Sequence, residues 1–288
     1  MIAPEGVLTP PKAMTIAGSD SGGGAGIQAD LKTFAAFGVY GSSVVTAVTA
    51  QNTRGVFAVA EVPEEVIALQ IDAVLEDIGA DAAKTGMLSS ASIVETVADR
   101  LEAWGVARLV VDPVMVAKGG HPLLQQSAVA AVKRHLLPLA LVVTPNIPEA
   151  GVLSGITVDS PQTAREAARA IAALGPRWVI IKGGHLAGDA TDLVYDGENF
   201  TEFHADRIDT PNTHGTGCTF SAAIAALLAR GLPPLEAIEA AKSWLTAAIR
   251  ESYAIGDGHS PVNHFHAILA DSWTTASPSP CAQGEGLG

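Results

Sequence analysis

Hydrophobic positions along the chain change their spacing in a regular way. Apolar residues recur three and four positions apart between Ile67 and Ile78, which predicts an amphipathic helix. Short apolar runs that predict buried strands lie at 14–17, 107–112, 141–144 and 178–182. Because helical stretches separate these runs, we predict an α/β fold with a mostly parallel sheet that helices cover on both faces.

Two local signals refine this prediction. Ser160-Pro161 is typical of a helix start, and Gly175 is typical of the position just past a helix end. The runs 193–195 and 200–203 flank Asp196-Gly197, which predicts a hairpin. We expect this hairpin to add an antiparallel edge to the sheet.

The domain organisation follows from length and composition. The chain has 288 residues, of which 48% are hydrophobic, and this is ample for one large core. We predict a flexible N-terminus at 1–11, a single domain at 12–270 and a disordered tail at 271–288, because the tail is rich in Ser, Pro and Gly.

Charge and cysteine usage narrow the class of protein. The formal net charge is −13, from 17 Lys and Arg against 30 Asp and Glu, which argues against nucleic acid or an anionic membrane as a partner. We find no apolar run of the length that spans a bilayer. The cysteines, Cys218 and Cys281, are far apart, so we expect no structural disulfide and a cytoplasmic protein.

The most informative segment is His214-Gly215-Thr216-Gly217-Cys218, which leads into an alanine-rich helical pattern. A loop that feeds a helix N-terminus presents unpaired N–H groups and binds anions, phosphate above all. The two glycines allow a close backbone approach. The same N–H groups should lower the pKa of the Cys218 thiol.

A second glycine-rich loop, residues 18–26, follows the first predicted strand and precedes a helix that should begin near Ile27. Residues 24–29 fit the dinucleotide-binding pattern G-x-G-x-x-G/A, but no acid lies between Asp30 and Glu61 to bind a ribose. A Walker A loop is also excluded, because the chain has no Gly-Lys pair.

Seven segments in order along the chain resemble those of one family. They are 18–33, 49–53, 84–88, 111–115, 144–150, 182–185 and the Cys218 loop. The chain thereby resembles the bacterial hydroxymethylpyrimidine and phosphomethylpyrimidine kinases of thiamine synthesis, which belong to the ribokinase-like superfamily. The resemblance implies a ribokinase-like three-layer α/β/α sandwich, with ATP and Mg²⁺ as cofactors and a homodimer as the usual assembly.

The resemblance also implies roles for single residues. The catalytic loop would comprise Gly215, Thr216, Gly217 and Cys218. The pyrimidine substrate would contact Gly18, Asp30, Gln51, Met87 and Val114. The nucleotide would contact Asn146, Lys182 and Thr216. The metal would be held by Asp112 and Glu149. Independently of the resemblance, Gly18, Asp112, Asn146 and Lys182 fall at predicted strand ends, where open parallel sheets bind ligands.

Alternatives remain open for several of these residues. Asp112 and Glu149 could instead be carboxylates that cap loops. Many related sugar kinases have an aspartate base in the position of Cys218, so the thiol could be a base, a positioning residue or a small packed side chain. Residues 256–262 resemble the family pattern Gly-x-Gly-x-Gly-Pro-Val with Ser260 in place of a glycine, which leaves nucleotide contacts near Asp257 open.

The function that these observations predict is ATP-dependent phosphorylation of 4-amino-5-hydroxymethyl-2-methylpyrimidine and then of its monophosphate. A pyridoxal kinase of the cysteine-loop type is the nearest alternative, although the Gln51-Asn52 pair favours the pyrimidine. A pyrimidine-binding regulator without catalysis is a second alternative. The anion loop and the two acids argue against it.

Overall fold

The computed structural model describes residues 9–115, 126–183 and 190–267. Nine strands lie in these ranges. They are β1 Lys12–Asp20, β2 Tyr40–Asn52, β3 Gly55–Glu61, β4 Ala82–Thr85, β5 Leu109–Val111, β6 Val142–Val143, β7 Trp178–Ile181, β8 Asp192–Tyr195 and β9 Phe200–Phe203. All nine belong to one sheet with the order β3-β2-β1-β4-β5-β6-β7-β8-β9.

Eight α-helices accompany the strands in the same ranges. They are α1 Gly26–Ala36, α2 Glu64–Asp77, α3 Ala91–Ala103, α4 Gln126–Ala131, α5 Ile147–Ser154, α6 Pro161–Ala172, α7 Thr216–Ala229 and α8 Pro234–Arg250. A π-helical turn, Val132–Leu136, and a 3-10 turn, Leu137–Leu139, continue α4. In this part of the chain, no helix has both the length and the apolarity to cross a membrane.

The pairing of the strands confirms a mostly parallel sheet. β1 pairs in parallel with β2 and β4, and the pairs β4–β5, β5–β6 and β6–β7 are also parallel. The predicted hairpin of β8 and β9 forms one antiparallel edge. The opposite edge is also antiparallel, because β3 pairs with β2. We did not predict this second hairpin, since its central residues, Thr53 and Arg54, are not turn formers and β3 lacks polar alternation.

Each face of the sheet carries its own hydrophobic core. Val111 packs with residues of α2 to α6, such as Ile67, Ile93 and Ile171. Its neighbour Val110 faces the other way and packs with residues of α1, α7 and α8. Successive side chains of a strand point to opposite faces, so two-sided burial requires the continuous apolar runs seen in the sequence. The result is the predicted three-layer α/β/α sandwich.

The sheet has a switch point beside β1. The chain adds β2 and β3 on one side of β1 and then returns to add β4 on the other side. In open α/β sheets, ligands bind outside the carboxyl ends of strands at such a point. β1 extends further than expected, to Asp20, so Gly18 lies inside the strand, where its pairing with β2 shifts register between Ala17 and Ser19.

Several local predictions are confirmed and one remains untested. α2 contains the apolar series from Ile67, and Ser160 caps α6 with a reciprocal hydrogen bond from Thr163. Gly175 follows the end of α6 with a φ of +123°. The domain boundaries remain predictions, since residues 1–8 and 268–288 lie outside the described ranges.

Candidate active site

The first glycine-rich loop is organised around the carboxylate of Asp20. Its Oδ1 accepts a hydrogen bond from Gly22 N–H at 2.8 Å, and its Oδ2 accepts from Gly24 N–H at 3.0 Å and Ala25 N–H at 2.8 Å. Burial alone would raise the pKa of Asp20, but hydrogen bonds from His214, Ala25 and Gly22 together lower it. These N–H groups are therefore occupied by a side chain of the same loop and do not offer a phosphate site.

The segment 214–218, which we call the α7 loop, presents a different helix start. Gly215 is the N-cap of α7 in a left-handed conformation with φ +74°, and no described side chain caps the helix there. A Cβ on Gly215 would lie 1.8 Å from the carbonyl oxygen of Gly24, so only glycine allows the two loops to touch. Because no side chain caps it, the first turn of α7 can receive an anion.

Asp112 stands opposite this helix start, at the end of β5. Its side chain is 2% exposed, and its Oδ1 accepts hydrogen bonds from Lys182 Nζ and from Thr144 Oγ1, both at 3.1 Å. Ser221 Oγ of α7 lies 3.4 Å from Oδ2. The structure thus brings the predicted metal ligand Asp112 and the predicted nucleotide residue Lys182 into direct contact.

Lys182 also faces the α7 loop. A Cβ on Gly217 would lie 3.3 Å from Lys182 Nζ and 3.6 Å from Asp112 Oδ2. Burial would lower the pKa of Lys182, but the carboxylates of Asp112 and Glu149 outweigh it and raise that pKa. The side chain is therefore a permanent cation at the mouth of the α7 loop.

Glu149 and Asn146 have structural partners of their own at the start of α5. Asn146 Oδ1 accepts from Glu149 N–H at 2.9 Å, and Glu149 Oε2 accepts from Asn146 N–H at 2.8 Å, a reciprocal capping box. Glu149 therefore does cap a backbone N–H group, as the alternative to a metal role predicted. Burial and the nearby Asp112 charge raise the pKa of Glu149 to about 7 against the opposing effect of Lys182.

The expectation that the Cys218 thiol has a lowered pKa is wrong in this structure. Burial raises the pKa of this thiol to about 11, and the positive charge of Lys84 and a hydrogen bond from Gly26 N–H oppose it only in part. We therefore expect a protonated thiol at neutral pH.

Asp30, a predicted substrate residue, is fully buried in an ion pair. Its side chain has no exposed surface and pairs with Lys84 Nζ at 2.8 Å, while Thr15 Oγ1 donates to the same Oδ2 at 2.6 Å. Its Oδ1 has no partner. Because Asp30 contacts Lys84 and Thr15 and has no exposed surface, a direct contact with substrate would require the side chain to move. Lys84 received no role in the sequence analysis.

The other predicted substrate residues gather at the switch point. A Cβ on Gly18 would lie 3.2 Å from Met87 Sδ, so the flat backbone at Gly18 and the Met87 side chain face each other. Ser21 Oγ donates to the Gln51 carbonyl oxygen at 2.7 Å and accepts from Gln51 N–H at 2.8 Å, which fixes the end of β2 to the first loop. Val114 is half-buried two residues after Asp112.

The segment near Asp257 docks on the β2–β3 turn. His259 N–H and Gly258 N–H donate to Thr53, at 2.8 Å to its carbonyl and 3.2 Å to its hydroxyl. Asp257 pairs with Arg54 at the surface. Ser260, the departure from the family pattern, is 1% exposed and closes a turn with both polar groups of Ile255. In the described residues, the Asp257 side chain contacts Arg54 of the β2–β3 turn and not Asp112 or Glu149.

Gly184 and His185, from the segment that follows Lys182, lie outside the described residues.

Three residues of this site were missed from sequence. They are Asp20, Lys84 and His214, which lie within the segments that carry the family resemblance. A buried ion pair gives no periodic signal, and Asp20 and His214 are 194 positions apart. Only the topology that joins β1 to the start of α7 brings them together.

The comparisons with known proteins cover most of the residues of this site. The family model described as phosphomethylpyrimidine kinase covers residues 20–263. The chain belongs to the phosphomethylpyrimidine kinase family. The matched range includes Asp112, Glu149, Lys182 and the α7 loop.

Individual relatives are similar to this chain over most of its length. It is 53% identical over 268 residues to the hydroxymethylpyrimidine/phosphomethylpyrimidine kinase of Streptomyces coelicolor, covering 93% of this chain and 99% of that protein. It is 55% identical to the thiamine biosynthesis bifunctional protein ThiED of Geobacter sulfurreducens, of which it spans 52% of the length.

Solved structures agree on the fold and represent two kinase types. An ADP complex of Bacillus subtilis pyridoxal kinase has a TM-score of 0.85 at 43% identity, over 91% of this chain and all of that one. The phosphomethylpyrimidine kinase of Clostridium difficile has a TM-score of 0.75 at 45% identity, over 83% of this chain and 99% of that one. Both confirm the predicted ribokinase-like fold.

Proposed function

We propose that this protein is an ATP- and Mg²⁺-dependent kinase that phosphorylates 4-amino-5-hydroxymethyl-2-methylpyrimidine and then its monophosphate. The observation that carries this proposal is the uncapped start of α7 facing Lys182 and Asp112, in a member of the phosphomethylpyrimidine kinase family. Phosphoryl transfer depends mainly on positioning and on charge stabilisation, and N–H donors beside the half-buried cation of Lys182 supply both.

The residues at this edge fit a magnesium ion that is shared with a nucleotide. In the described residues no cluster of three or more His, Cys, Asp and Glu side chains could hold a metal by itself. Mg²⁺ commonly uses one or two carboxylates together with phosphates and water. The raised pKa of Glu149, due to burial and to the charge of Asp112, reflects a crowded negative site that a cation would relieve. We propose Asp112 and Glu149 as its ligands, where the metal would neutralise phosphate charge.

We propose the following roles around the transferred group. The N–H groups of Gly217 and Cys218 would bind the migrating phosphoryl group, and Lys182 would neutralise its charge. Asn146 and Thr216 remain proposed nucleotide contacts, although the Thr216 hydroxyl donates to the Thr213 carbonyl at 2.6 Å. A loose transition state needs little help from a base, so a protonated Cys218 suits a positioning role.

The pyrimidine would bind at the switch point between β1 and β4. Gly18 and Met87 would cover the ring, and Gln51 would meet its polar edge with an acceptor and two donors. Val114 would close the side towards Asp112. Asp30 would act indirectly, because it holds Lys84 beside the thiol of Cys218.

Pyridoxal phosphorylation is the second candidate, because the pyridoxal kinase of Bacillus subtilis superposes with a TM-score of 0.85. One experiment separates the two. The protein is incubated with ATP, Mg²⁺ and equal amounts of the pyrimidine alcohol, its monophosphate and pyridoxal, and the products are quantified. We expect the pyrimidine diphosphate to dominate. Pyridoxal phosphate as the main product would overturn the assignment.

Two further expectations stay proposals. A cytoplasmic location fits the use of cysteine in the chain. A homodimer is proposed because the family resemblance implies one, and size-exclusion chromatography with light scattering would test it.

A further inference from the structure

His214 is a half-buried ring at the centre of the site, and the functions assigned so far do not use it. Its Nε2 lies 3.1 Å from Asp20 Oδ2 and 3.4 Å from Gln51 Nε2. Its side chain is 14% exposed and that of Asp20 is 4% exposed. The ring therefore stands between the first glycine-rich loop, the end of β2 and the α7 loop to which it belongs.

Packing against the first glycine-rich loop also restrains the His214 ring. A Cβ on Gly24 would lie 2.4 Å from His214 Cδ2, so the imidazole rests directly on the backbone of the first loop. The His214 N–H donates to the Ser260 carbonyl at 3.1 Å. Because Gly215 follows at once as the N-cap of α7, any shift of His214 moves the start of that helix.

The donors and acceptors around the ring show that His214 Nε2 carries a hydrogen. The ionised Asp20 carboxylate only accepts, so the facing His214 Nε2 must carry a hydrogen. The same Nε2–H faces the Gln51 amide and pairs best with its oxygen. In the structure Gln51 Oε1 lies 3.2 Å from Thr49 Oγ1, and Gln51 Nε2 faces His214. Thr49 Oγ1 already donates its one proton to the Ser19 carbonyl at 2.9 Å, so with the amide turned over it can accept from the Gln51 –NH₂ group instead. Both neighbours favour the amide with its oxygen towards His214.

We propose that His214 is a positioning residue that sets two things at once. It holds the α7 loop at a fixed place against the first glycine-rich loop, and it selects the orientation of the Gln51 amide. The placement of the phosphoryl-binding N–H groups and the polar contact to the pyrimidine thus depend on one imidazole. The second half of this inference rests on the proposed role of Gln51.

The experiment compares His214→Leu, His214→Asn and His214→Gln. Leucine removes the hydrogen bond, asparagine carries a donor that is too short to reach Asp20, and glutamine places a donor near the position of Nε2. His135→Leu is the matched control, since His135 is also half-buried beside one carboxylate, Glu95 at 3.9 Å, but on the opposite helical layer. Turnover and KM for the pyrimidine alcohol and for ATP are measured for each variant.

We expect His214→Leu and His214→Asn to lower kcat by about 10- to 100-fold, the scale of a small displacement of reacting groups. The KM for the pyrimidine should rise more than that for ATP, because the ring contacts Gln51, whereas the proposed nucleotide residue Lys182 pairs with Asp112. His214→Gln should recover most of both losses, and His135→Leu should match the wild type. If leucine prevents folding, the contrast between asparagine and glutamine still decides.

A double-mutant cycle with Gln51→Leu tests the second half of the inference. If His214 acts on substrate through Gln51, His214→Leu should add little to the pyrimidine KM of the Gln51→Leu protein. Fully multiplicative effects on KM would overturn that half, and equal kcat for His214→Leu and His135→Leu would overturn the first. A wild-type protein that turns over no pyrimidine alcohol would instead refute the proposed function.

Discussion

The two glycine-rich loops of this protein have opposite arrangements of their backbone donors. In the first loop, the N–H groups of Gly22, Gly24 and Ala25 converge on the carboxylate of Asp20. In the α7 loop no described side chain caps the helix, and Lys182 and Asp112 stand in front of it. The N–H groups of the first loop are hydrogen-bonded within the protein, whereas no described side chain caps those at the start of α7, where a ligand could bind.

This difference shows that glycine content does not by itself make a phosphate site. What decides is whether an acceptor within the protein already occupies the donors, since a buried carboxylate takes the place that an anion would have. The first loop is held to β2 through Ser21 and Gln51, and we propose that it forms the substrate side of the site. The α7 loop is the proposed binding site of the phosphoryl group.

The largest effect should come from closing the open loop. Gly217→Val would project a branched side chain towards Lys182 and Asp112, into the space where phosphate would meet the N–H groups. Turnover should fall by about 10²- to 10³-fold, the usual loss when such donors are blocked. The measurement is the initial rate at saturating ATP and pyrimidine, with folding checked by circular dichroism.

The matched control for this change is Gly55→Val, because nothing lies within 4 Å of a Cβ at Gly55. That variant should retain wild-type turnover. A folded Gly217→Val protein with unchanged turnover would show that the open loop does not bind the phosphoryl group.

The next effect should come from removing the internal acceptor of the closed loop. Asp20→Ala leaves three backbone N–H groups and His214 without it, which should lower the free energy of unfolding by about 2–4 kcal/mol at pH 7. Urea titration measures the difference. Asp257→Ala should unfold like the wild type, because its partner Arg54 is exposed.

The same substitution has a defined pH dependence. The pKa of Asp20 is lowered from its ordinary value of 3.8 by hydrogen bonds that outweigh burial, so its stabilisation is present above that value. It should be lost as the pH falls through the lower pKa of the folded state. The gap between wild type and Asp20→Ala should therefore narrow below about pH 3.8. A gap that stays constant to pH 2.5 would contradict a charge-based role.

A smaller effect is expected at the residue that the closed loop holds in place. Gln51→Leu should lower kcat/KM for the pyrimidine by about 5- to 150-fold, because the polar edge of the substrate is left unpaired. The KM for ATP should not change. Weakened ATP binding with intact pyrimidine binding would assign Gln51 to the nucleotide side and undo the division between the loops.

The smallest effect should be at Cys218. Since burial raises the pKa of its thiol to about 11, Cys218→Ser should cost about tenfold or less in turnover, and the rate-versus-pH profiles of both proteins should share their lower limb. A loss of about 10²- to 10⁴-fold that Cys218→Asp partly restores would instead identify the thiol as the base.

Much of the fold could be predicted from the sequence because its signals are local. Two-sided burial produces the apolar run at 178–182, and Ser160-Pro161 marks a helix start through its own backbone chemistry. The β2–β3 edge was missed because its turn has no Gly or Pro at Thr53 and Arg54. That turn is instead supported by residues 256–259, some 200 positions away in sequence.

The site was predicted as a list of residues but not as a set of contacts. Asp112 and Lys182 could be placed at strand ends, and the structure joins them. The burial of Asp30 against Lys84 and the raised pKa of Cys218 depend on how tightly α1 and α7 pack, which no single segment encodes. The resemblance supplied the residue types, and the topology decided which of them meet.

The contact between Gly24 and Gly215 has a consequence for synthesis of the protein. A nascent chain that has emerged only as far as β9 contains every strand of the sheet, yet Asp20 still lacks His214. The site is complete only when α7 packs against α1 and residues 256–261, which follow α8, reach the β2–β3 turn and His214. Enzymatic activity would therefore report on the packing of these late-synthesised segments, whereas the strands are all present in the chain before them.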